Sequence, residues 1–386
     1  MSKAEDGGSP PGTTYQFTVI REKMRRHPGP VLDFALGRRR QLPPEWLETF
    51  VREFAPLVLR RRRDDEFEAF VDEAAGMLET VYGVRVAPLQ ILPAPSGRAA
   101  MAALATTLIA PGDGVLVTEP GYPAFARIAA QAHARLMVAP LDPSGGFAPD
   151  LEGLSADDTV LRLVALNYPN NPTGTVLSRA AFADIRRHVA ADTVLYNDAV
   201  YGPLTHHRPP WSLLADELSD DDVPVVELHS LGKLFALGPL GVAFMVGPEE
   251  PIDAIRRFSD FSWSQLSSLQ LLVATRCLAD WQYVAVVRDD LAGRLERLRV
   301  VVTALGFEAY PTDAGMYLLC RAPTAVGDRQ AASAAEVAEI LLDEHGLAVA
   351  PWDVGDHSYI RFSAQYRDED LDALSELGSG SRLVSS

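Results

Sequence analysis

The chain has 386 residues, enough for a large hydrophobic core and for two domains, or for one domain with a smaller annex. Its composition, 47% hydrophobic and 23% charged, is that of an ordinary soluble globular protein. The formal net charge of −17 argues against nucleic acid or an anionic membrane as the main partner, because both attract clustered positive charge. Two cysteines, Cys277 and Cys320, make neither a disulfide framework nor a metal site.

Both ends of the chain have the composition of loose tails. Residues 1–14 are rich in Gly, Pro, Ser and charge, so we expect disorder there. Gly and Ser from residue 378 onward predict a second tail over 379–386.

No apolar run approaches the roughly 20 residues of a membrane span, and no secretory signal opens the chain. We therefore expect a cytoplasmic protein.

Hydrophobic periodicity predicts short strands that alternate with helices. A helix is predicted over 64–82, ending at Gly83 as its C-cap, and another over 99–109. Strands are predicted at 89–92, 115–117, 161–166, 194–196, 225–228 and 359–362, and helices return after residue 265. This alternation indicates an α/β fold with a mostly parallel sheet covered on both faces.

The predicted elements divide into two domains. We predict a large domain over 46–275 and a small α+β domain made of 15–45 and 276–378. In a parallel sheet, ligands bind beyond the carboxyl ends of the strands. The polar motifs described next follow such strand ends.

Lys233 lies in the run Ser230-Leu231-Gly232-Lys233, just after the strand predicted at 225–228. Apolar residues flank it on both sides, so we expect it to be buried rather than to be a surface lysine. A lysine amine in such a place can form a Schiff base with an aldehyde cofactor. Ser230 is a candidate contact for a phosphate, and His229 is a candidate supporting residue.

Asp198 and Asn171 also follow predicted strands. A buried carboxylate is costly unless it is paired, and a protonated pyridine nitrogen would pair with Asp198. Tyr201, three residues on, can donate to the phenolic oxygen of such a ring. Asn171 offers an amide donor in an Asn-Pro-Thr-Gly loop of fixed shape. The competing interpretations are a helix-capping Asp and an ordinary Asn/Pro turn.

Three further segments offer a phosphate site, a stacking ring and a carboxylate site. Ser96 and Gly97 follow a strand and open a helix, where free N–H groups and the helix dipole bind phosphate, unless this is a plain turn. Tyr122 follows the next strand and can stack on a planar ring or lie in the core. Arg361 can bind a carboxylate with two hydrogen bonds or form a structural ion pair.

Together these residues supply what pyridoxal phosphate chemistry requires. Lysine provides the Schiff base, Asp the partner of the pyridinium nitrogen, and Arg the partner of an amino acid's carboxylate. Asn171-Pro-Thr-Gly, Asp198-x-x-Tyr201, Ser230-x-x-Lys233 and Arg361, with their separations, resemble the class I/II aminotransferases, fold type I of the pyridoxal phosphate enzymes. The resemblance covers about residues 31–363.

The resemblance implies a role for each motif residue. Lys233 would carry pyridoxal 5′-phosphate, Asp198 would contact its pyridine nitrogen, and Arg361 would take the substrate α-carboxylate. The remaining implied cofactor contacts are Asn171 and Tyr201 on the phenolic oxygen, Tyr122 on the ring, and Ser96, Gly97 and Ser230 on the phosphate. The family is usually dimeric with active sites at the interface, so we expect a homodimer.

The phosphate site departs from the family pattern. The family generally has an Arg eight residues after the lysine, and this position is Gly241. Arg98 stands where the family usually has a small residue, and we expect it to replace the missing cation. The alternative is an outward-pointing Arg98 and a phosphate held by backbone groups alone.

The substrate side and the subunit side depart as well. Where the family often has Gly-x-Pro-Asp, Gly37 is followed by Arg38-Arg39-Arg40, which makes Gly37 a candidate substrate contact in an unusual pocket. Where the family has a partner-subunit Tyr, the chain has the four consecutive arginines of residues 60–63. Each arginine cluster is either a solvated face or a cationic rim that attracts anions.

The resemblance implies an enzyme acting on an α-amino acid through an external aldimine and a quinonoid, with Lys233 removing the α-proton. Transamination is the expected outcome. The alternative is a lyase-type or deaminating enzyme of antibiotic biosynthesis, such as lincosamide assembly. It would perform β-elimination with C–S cleavage, or decarboxylation-coupled or oxidative deamination. An aminotransferase-like transcription regulator would need an N-terminal helix-turn-helix domain, and fewer than 45 residues precede the fold.

Overall fold

The computed structural model describes residues 16–36, 44–151, 160–215, 223–238, 240–263, 265–378 and 382–385. Its strands, numbered in chain order, are β1 (Leu32–Asp33), β2 (Ile91–Ala94), β3 (Gly114–Glu119), β4 (Arg135–Pro140), β5 (Leu161–Leu166), β6 (Val194–Asp198), β7 (Val225–Ser230), β8 (Ala243–Val246), β9 (Tyr317–Arg321), β10 (Ala325–Val326), β11 (Arg329–Gln330), β12 (Leu347–Ala348), β13 (Ala350–Val354), β14 (His357–Ser363) and β15 (Val384–Ser385). Its helices are α1 (Gln16–Arg26), α2 (Trp46–Phe54), α3 (Asp64–Tyr82), α4 (Gly97–Leu108), α5 (Ala124–Gln131), α6 (Arg179–Arg187), α7 (Leu231–Leu234), α8 (Glu249–Ser262), α9 (Ser268–Leu278), α10 (Trp281–Ala304), α11 (Ala334–His345) and α12 (Asp368–Glu376).

The chain forms two compact units. The large unit comprises residues 40–297 and 310–318, and the small unit comprises 1–39, 298–309 and 319–386. The predicted domain boundaries near residues 46 and 275 remain predictions.

The large unit is built on a seven-stranded sheet in the order β2-β8-β7-β6-β5-β3-β4. Strands β7, β6, β5, β3 and β4 run parallel to one another. β8 is antiparallel to both β7 and β2, so β2 runs in the same direction as β7. The carboxyl ends of six strands therefore meet at one edge of the sheet. The predicted α/β class with a mostly parallel sheet is confirmed.

The core of the large unit lies between the sheet and the helices on its faces. One buried apolar cluster joins strand residues such as Leu163, Val226 and Leu228 to Leu104 of α4 and Phe125 of α5. Each fully buried side chain of this size contributes about 2 kcal/mol by leaving water. The central strands are mostly apolar on both sides, as expected of a parallel sheet whose two faces are covered.

Helix α3 shows how local sequence sets the ends of an element. It begins where the Arg63 N–H donates to the Glu66 carboxylate, and it ends at Gly83, whose φ of +71° suits glycine. Arg60 pairs with Glu66 and Arg63 with Asp65, so two of the four clustered arginines form ion pairs with α3.

Among its described residues, the small unit contains three small sheets. In the first sheet β13 and β14 are antiparallel and β9 lies beside β14. In the second, β1 pairs with β12. β15 pairs with β10, and Val384 is buried. The predicted loose C-terminal tail is therefore wrong for residues 382–385, because their backbone hydrogen bonds and apolar side chains are satisfied by distant residues. Residues 1–15, 379–381 and 386 lie outside the described part of the chain.

No helix within the described ranges has the length and apolar composition needed to cross a membrane. Nor do the His, Cys, Asp and Glu side chains of those ranges form a group of three or more that could hold a metal ion.

Candidate active site

The candidate residues of the large unit follow strands that end at the same edge of the sheet. Asp198 is the last residue of β6 and pairs in register with Leu228 of β7, two residues before Ser230. Ser230 in turn is level with Ala243 of β8, which is level with Ala94 at the end of β2. The loop that carries Ser96 therefore begins beside Ser230.

Asp198 is a buried carboxylate with an unsatisfied oxygen. Its side chain is 5% exposed, and its Oδ1 has no hydrogen-bond partner among the residues that the structure describes. Burial raises the pKa of Asp198 to about 7, while the Val200 N–H and the nearby Lys233 charge act in the opposite direction. A protonated ring nitrogen would supply the missing hydrogen bond and the missing positive charge.

Lys233 is the third residue of α7 and is exposed. The prediction that it is buried is wrong. Leu231, Leu234 and Phe235 are buried, and residues so spaced share one side of a helical turn. The apolar neighbours therefore pack inward, while Lys233 projects from the other side.

Asn171 is held in a loop that is tied to Asp198. The Asn171 N–H donates to Oδ1 of Asn167 over 3.1 Å, and Nδ2 of the same Asn167 donates to the Asp198 carbonyl over 3.0 Å. One buried amide thus bridges the backbones of two candidate cofactor residues. Asn171 itself is buried at 4% exposure.

Four tyrosines lie in or near the strands that carry the candidate site. The buried Tyr201 directs its hydroxyl to within 3.5 Å of the Tyr317 hydroxyl, with the two rings edge to face. Tyr122 is half-buried after β3. Tyr196 lies two residues before Asp198 and therefore on the same face of β6. Burial, with the nearby negative charges of Asp198 and Tyr122, raises the pKa of Tyr196.

Ser96 and Ser230 are helix caps whose side chains serve the backbone. Ser96 Oγ accepts from the Ala99 N–H over 3.1 Å, and Ser230 Oγ accepts from the Gly232 N–H over 3.3 Å. The α-carbon of Gly97 faces the Leu228 side chain, since a Cβ there would lie 3.3 Å from Leu228 Cδ2. Arg98, the second residue of α4, is exposed.

Gly241, which stands where the family has an arginine, adopts a left-handed backbone with φ of +62°. A Cβ at this position would lie 2.5 Å from the Pro95 carbonyl oxygen. Nε2 of Gln270 donates to the Leu240 carbonyl over 2.9 Å and lies 3.3 Å from the Gly241 carbonyl oxygen. These bonds tie the loop after Lys233 to α9, and the 2.5 Å distance shows that Gly241 packs directly against Pro95.

Arg361 belongs to the small unit and lies in the middle of β14. It is 2% exposed, and its guanidinium lies 4.9 Å from the Phe17 ring centre and 5.1 Å from that of Trp352. Nη2 donates to the Ala35 carbonyl over 2.7 Å. The two rings and this bond hold the guanidinium plane in one orientation. Gly37 and the following arginines lie outside the described residues.

The sequence interpretation missed the polar side chains that support the site. Asn167, Asn197 and Glu227 are each less than 10% exposed and form hydrogen bonds around the Asn171 loop. Their signal is a polar residue inside or at the end of an otherwise apolar strand. A second missed signal is the scarcity of lysine, since the sequence contains only Lys3, Lys23 and Lys233.

The structure adds an observation that the sequence could not give, and it fits pyridoxal phosphate. The unpartnered Oδ1 of Asp198 and the neighbouring Lys233 amine are the two groups that the pyridine nitrogen and the aldehyde of this cofactor need. The phosphate would meet the start of α4, where backbone N–H groups are available.

Comparison with known proteins identifies the family. The sequence matches the aminotransferase class I and II family over residues 59–376. It is 28% identical to the LL-diaminopimelate aminotransferase of Methanocaldococcus jannaschii over 92% of this chain and 87% of that protein. It is 30% identical to the probable N-succinyldiaminopimelate aminotransferase DapC of Mycobacterium tuberculosis, over 75% of this chain and 77% of that protein.

A solved structure shows the same fold. The substrate-bound BacF structure from Bacillus subtilis superimposes with a TM-score of 0.84, covering 96% of each chain at 23% sequence identity. The named relatives favour transamination over the lyase alternative. The chain belongs to the class I and II aminotransferases and is a pyridoxal phosphate-dependent enzyme of that family.

Proposed function

We propose that the enzyme transfers the amino group of an α-amino acid to a 2-oxo acid, with Lys233 as its catalytic amine and Asp198 as the partner of the pyridine nitrogen. The unpartnered, buried Oδ1 of Asp198 close to Lys233 is the observation that carries this proposal. A permanently uncompensated carboxylate would only cost stability, whereas a carboxylate that awaits a cationic ring serves catalysis.

Pyridoxal phosphate, when bound, supplies an aldehyde that takes up the amino group and a ring that accepts the electron pair released at the α-carbon. Lys233 Nζ would take the proton that leaves the α-carbon of the donor amino acid. In the second half of the reaction it would give a proton to the α-carbon of the new amino acid. Its exposed position on α7 supports this role, because the amine must reach both cofactor and substrate.

The other residues bind and orient the cofactor. Asn171 and Tyr201 donate to the phenolic oxygen, and Tyr122 stacks on the ring. Ser96, Gly97 and Ser230 contact the phosphate, and Arg98 supplies the positive charge that Gly241 lacks. The position of Arg98 in the first turn of α4, beside the free N–H groups, supports that assignment.

Arg361 binds the α-carboxylate of the substrate in this proposal. Support comes from its orientation between two aromatic rings, which pre-organises the guanidinium for a bidentate contact. Gly37 is proposed as a substrate contact on the sequence pattern alone.

The assembly and location follow the habits of the family. We infer a homodimer, because the family to which the chain belongs is usually dimeric. A cytoplasmic location and a place in antibiotic biosynthesis remain predictions from the sequence.

The test is a half-reaction. The holoenzyme is mixed with single amino acids, including LL-diaminopimelate because of the named relatives, and with no 2-oxo acid acceptor. Conversion of the cofactor to its amino form with one equivalent of 2-oxo acid supports the proposal. Continued turnover with release of ammonia or carbon dioxide would instead establish a lyase or deaminase.

A further inference from the structure

β6 and β7 bury a polar cluster on the face of the sheet opposite Asp198. Side chains alternate along a strand, so Asn197 points away from the side that Asp198 and Tyr196 occupy. Asn197 pairs in register with Glu227 of β7, and their side chains meet through Asn197 Nδ2 and Glu227 Oε1 at 3.0 Å. Glu227 is 1% exposed.

Glu227 is surrounded by donors. Its Oε1 accepts from Asn197 Nδ2 and from the Leu213 N–H, each over 3.0 Å. Its Oε2 accepts from Ser212 Oγ over 2.5 Å and lies 3.4 Å from His229 Nε2. Burial raises the pKa of Glu227, but the contacts with His229, Ser212 and Asn197 outweigh burial and lower it. The residue is therefore a buried anion at neutral pH.

Asn197 connects this anion to the loop that carries Asn171. Its Oδ1 accepts from the Tyr168 N–H over 2.8 Å, and its Nδ2 donates to the Tyr168 carbonyl over 3.0 Å. This reciprocal pair requires one orientation of the amide, and the bond to Glu227 favours that same orientation, because only Nδ2 can donate to a carboxylate. The flipped amide would place its oxygen against the Glu227 oxygen.

The loop is thus held by side-chain hydrogen bonds at two positions. Tyr168 is held by Asn197, and the Asn171 N–H is held by Asn167. Beyond Asn171 the chain turns back, so that the Gly174 N–H donates to the Asn170 carbonyl over 2.8 Å. Movement of Tyr168 would therefore be transmitted to Asn171 within three residues.

We propose that Glu227 is a positioning residue: it fixes the amide of Asn197, which fixes the loop over residues 167–174 and hence the donor that Asn171 presents to the cofactor. The proposal rests on the proposed role of Asn171 at the phenolic oxygen. It adds to that role an acidic residue on the far side of the sheet that touches neither cofactor nor substrate.

The test compares Glu227→Gln, Glu227→Asp and Ser212→Ala. In a glutamine, an NH₂ group replaces one of the two carboxylate oxygens. It would face either the Asn197 and Leu213 donors or the Ser212 and His229 side chains, and two donors that face each other form no hydrogen bond. Aspartate keeps the charge and serves as the milder variant if the glutamine protein folds poorly. Ser212→Ala is the matched control, because it removes a donor to the same carboxylate but leaves the bond to Asn197.

Two measurements separate the effect of Glu227 on the loop from the effect of the loop on the cofactor. Hydrogen exchange of residues 167–174 in the cofactor-free protein reports the loop, and the pH midpoint of the bound cofactor's absorbance reports the donor at its phenolic oxygen. For Glu227→Gln we expect at least tenfold faster exchange in the loop, a midpoint moved to higher pH and roughly tenfold weaker cofactor binding. The exchange rate and the pH midpoint of Glu227→Asp should lie between those of Glu227→Gln and the wild type. Ser212→Ala should lower Tm without changing the loop exchange or the midpoint.

Loop exchange that is unchanged in Glu227→Gln, or that rises equally in Ser212→Ala, would overturn the positioning role. Faster exchange with an unchanged midpoint would uphold the positioning role and contradict the proposed contact of Asn171 with the cofactor.

Discussion

The carbonyl oxygen of Pro95 lies where the side chain of residue 241 would begin, and Gly241 leaves that space free. The predicted Cβ contact is 2.5 Å, and the left-handed φ of +62° disfavours any other residue. The glycine is therefore required by the close packing of the two loops that carry Pro95 and Gly241. A side chain at this position would therefore require a different backbone arrangement.

Restoring the arginine should weaken the cofactor site. For Gly241→Arg we predict lower affinity for pyridoxal phosphate, because the new Cβ would displace Pro95 and with it Ser96. Titration of the cofactor-free protein by absorbance measures this affinity. Gly241→Ala is the control, since it introduces the same Cβ without charge and should have a similar effect. Tighter binding in Gly241→Arg would show that the loops can separate and that only charge is missing.

Removing the arginine at position 98 tests its role as the replacement cation. Arg98→Ala should weaken cofactor binding by roughly 10- to 100-fold, the value of one charge-assisted hydrogen bond of about 1.5–3 kcal/mol. Arg85→Ala, an exposed position near the opposite end of β2, removes the same charge and should leave binding unchanged. Equal affinities for wild type and Arg98→Ala would mean that backbone groups bind the phosphate unaided.

Asp198 should make the cofactor-free protein less stable at high pH. Its pKa is raised from 3.8 to about 7 in the folded chain, so the folded state keeps a proton that the unfolded chain has released. Stability from this group is therefore present below pH 4, falls as the pH rises towards 7, and is then lower by on the order of 4 kcal/mol.

Asp198→Asn should remove the fall in stability between pH 4 and pH 7. The same substitution should abolish tight cofactor binding. At pH 8 the cofactor-free variant should unfold at a higher urea concentration than the wild type, whereas at pH 4 the two should be similar. The control Asp372→Asn, at an exposed position of α12, should show the wild-type dependence. A wild-type fall in stability between pH 4 and 7 that persists in Asp198→Asn would assign the effect to another group.

Arg361→Lys tests the carboxylate contact. A lysine is a point charge that lacks the flat, two-donor shape held between Phe17 and Trp352. We predict that kcat/KM for amino acids falls roughly 100-fold, while cofactor affinity is unchanged. Steady-state kinetics and the cofactor titration measure the two effects, and a parallel loss of cofactor binding would indicate a structural role for Arg361.

Much of the large unit could be predicted from local sequence. Strand β5 and helix α3 have the predicted bounds, because an apolar run before an Asn/Pro loop and a 3.6-residue periodicity ending at glycine are local signals. The strand ends carry the motifs, and the motif order indicates the family. These features need no knowledge of distant residues.

Other features depend on contacts between distant residues. The pairing of β15 with β10 spans about 60 residues, so the tail at 382–385 gave no local sign of order. The exposure of Lys233 depends on which side of a single helical turn faces the core. The bonds from Glu227 through Asn197 to Tyr168 join three segments, and each residue alone resembles an ordinary polar residue in a strand or loop.

The attachment of the cofactor to Lys233 is the most direct test of this account. Reduction of the holoenzyme with borohydride fixes the cofactor to its amine, and mass spectrometry of peptides then locates it among Lys3, Lys23 and Lys233. We predict one adduct per chain, on Lys233, and no adduct in Lys233→Ala. An adduct on Lys3 or Lys23, or full activity in Lys233→Ala, would contradict the proposed active site.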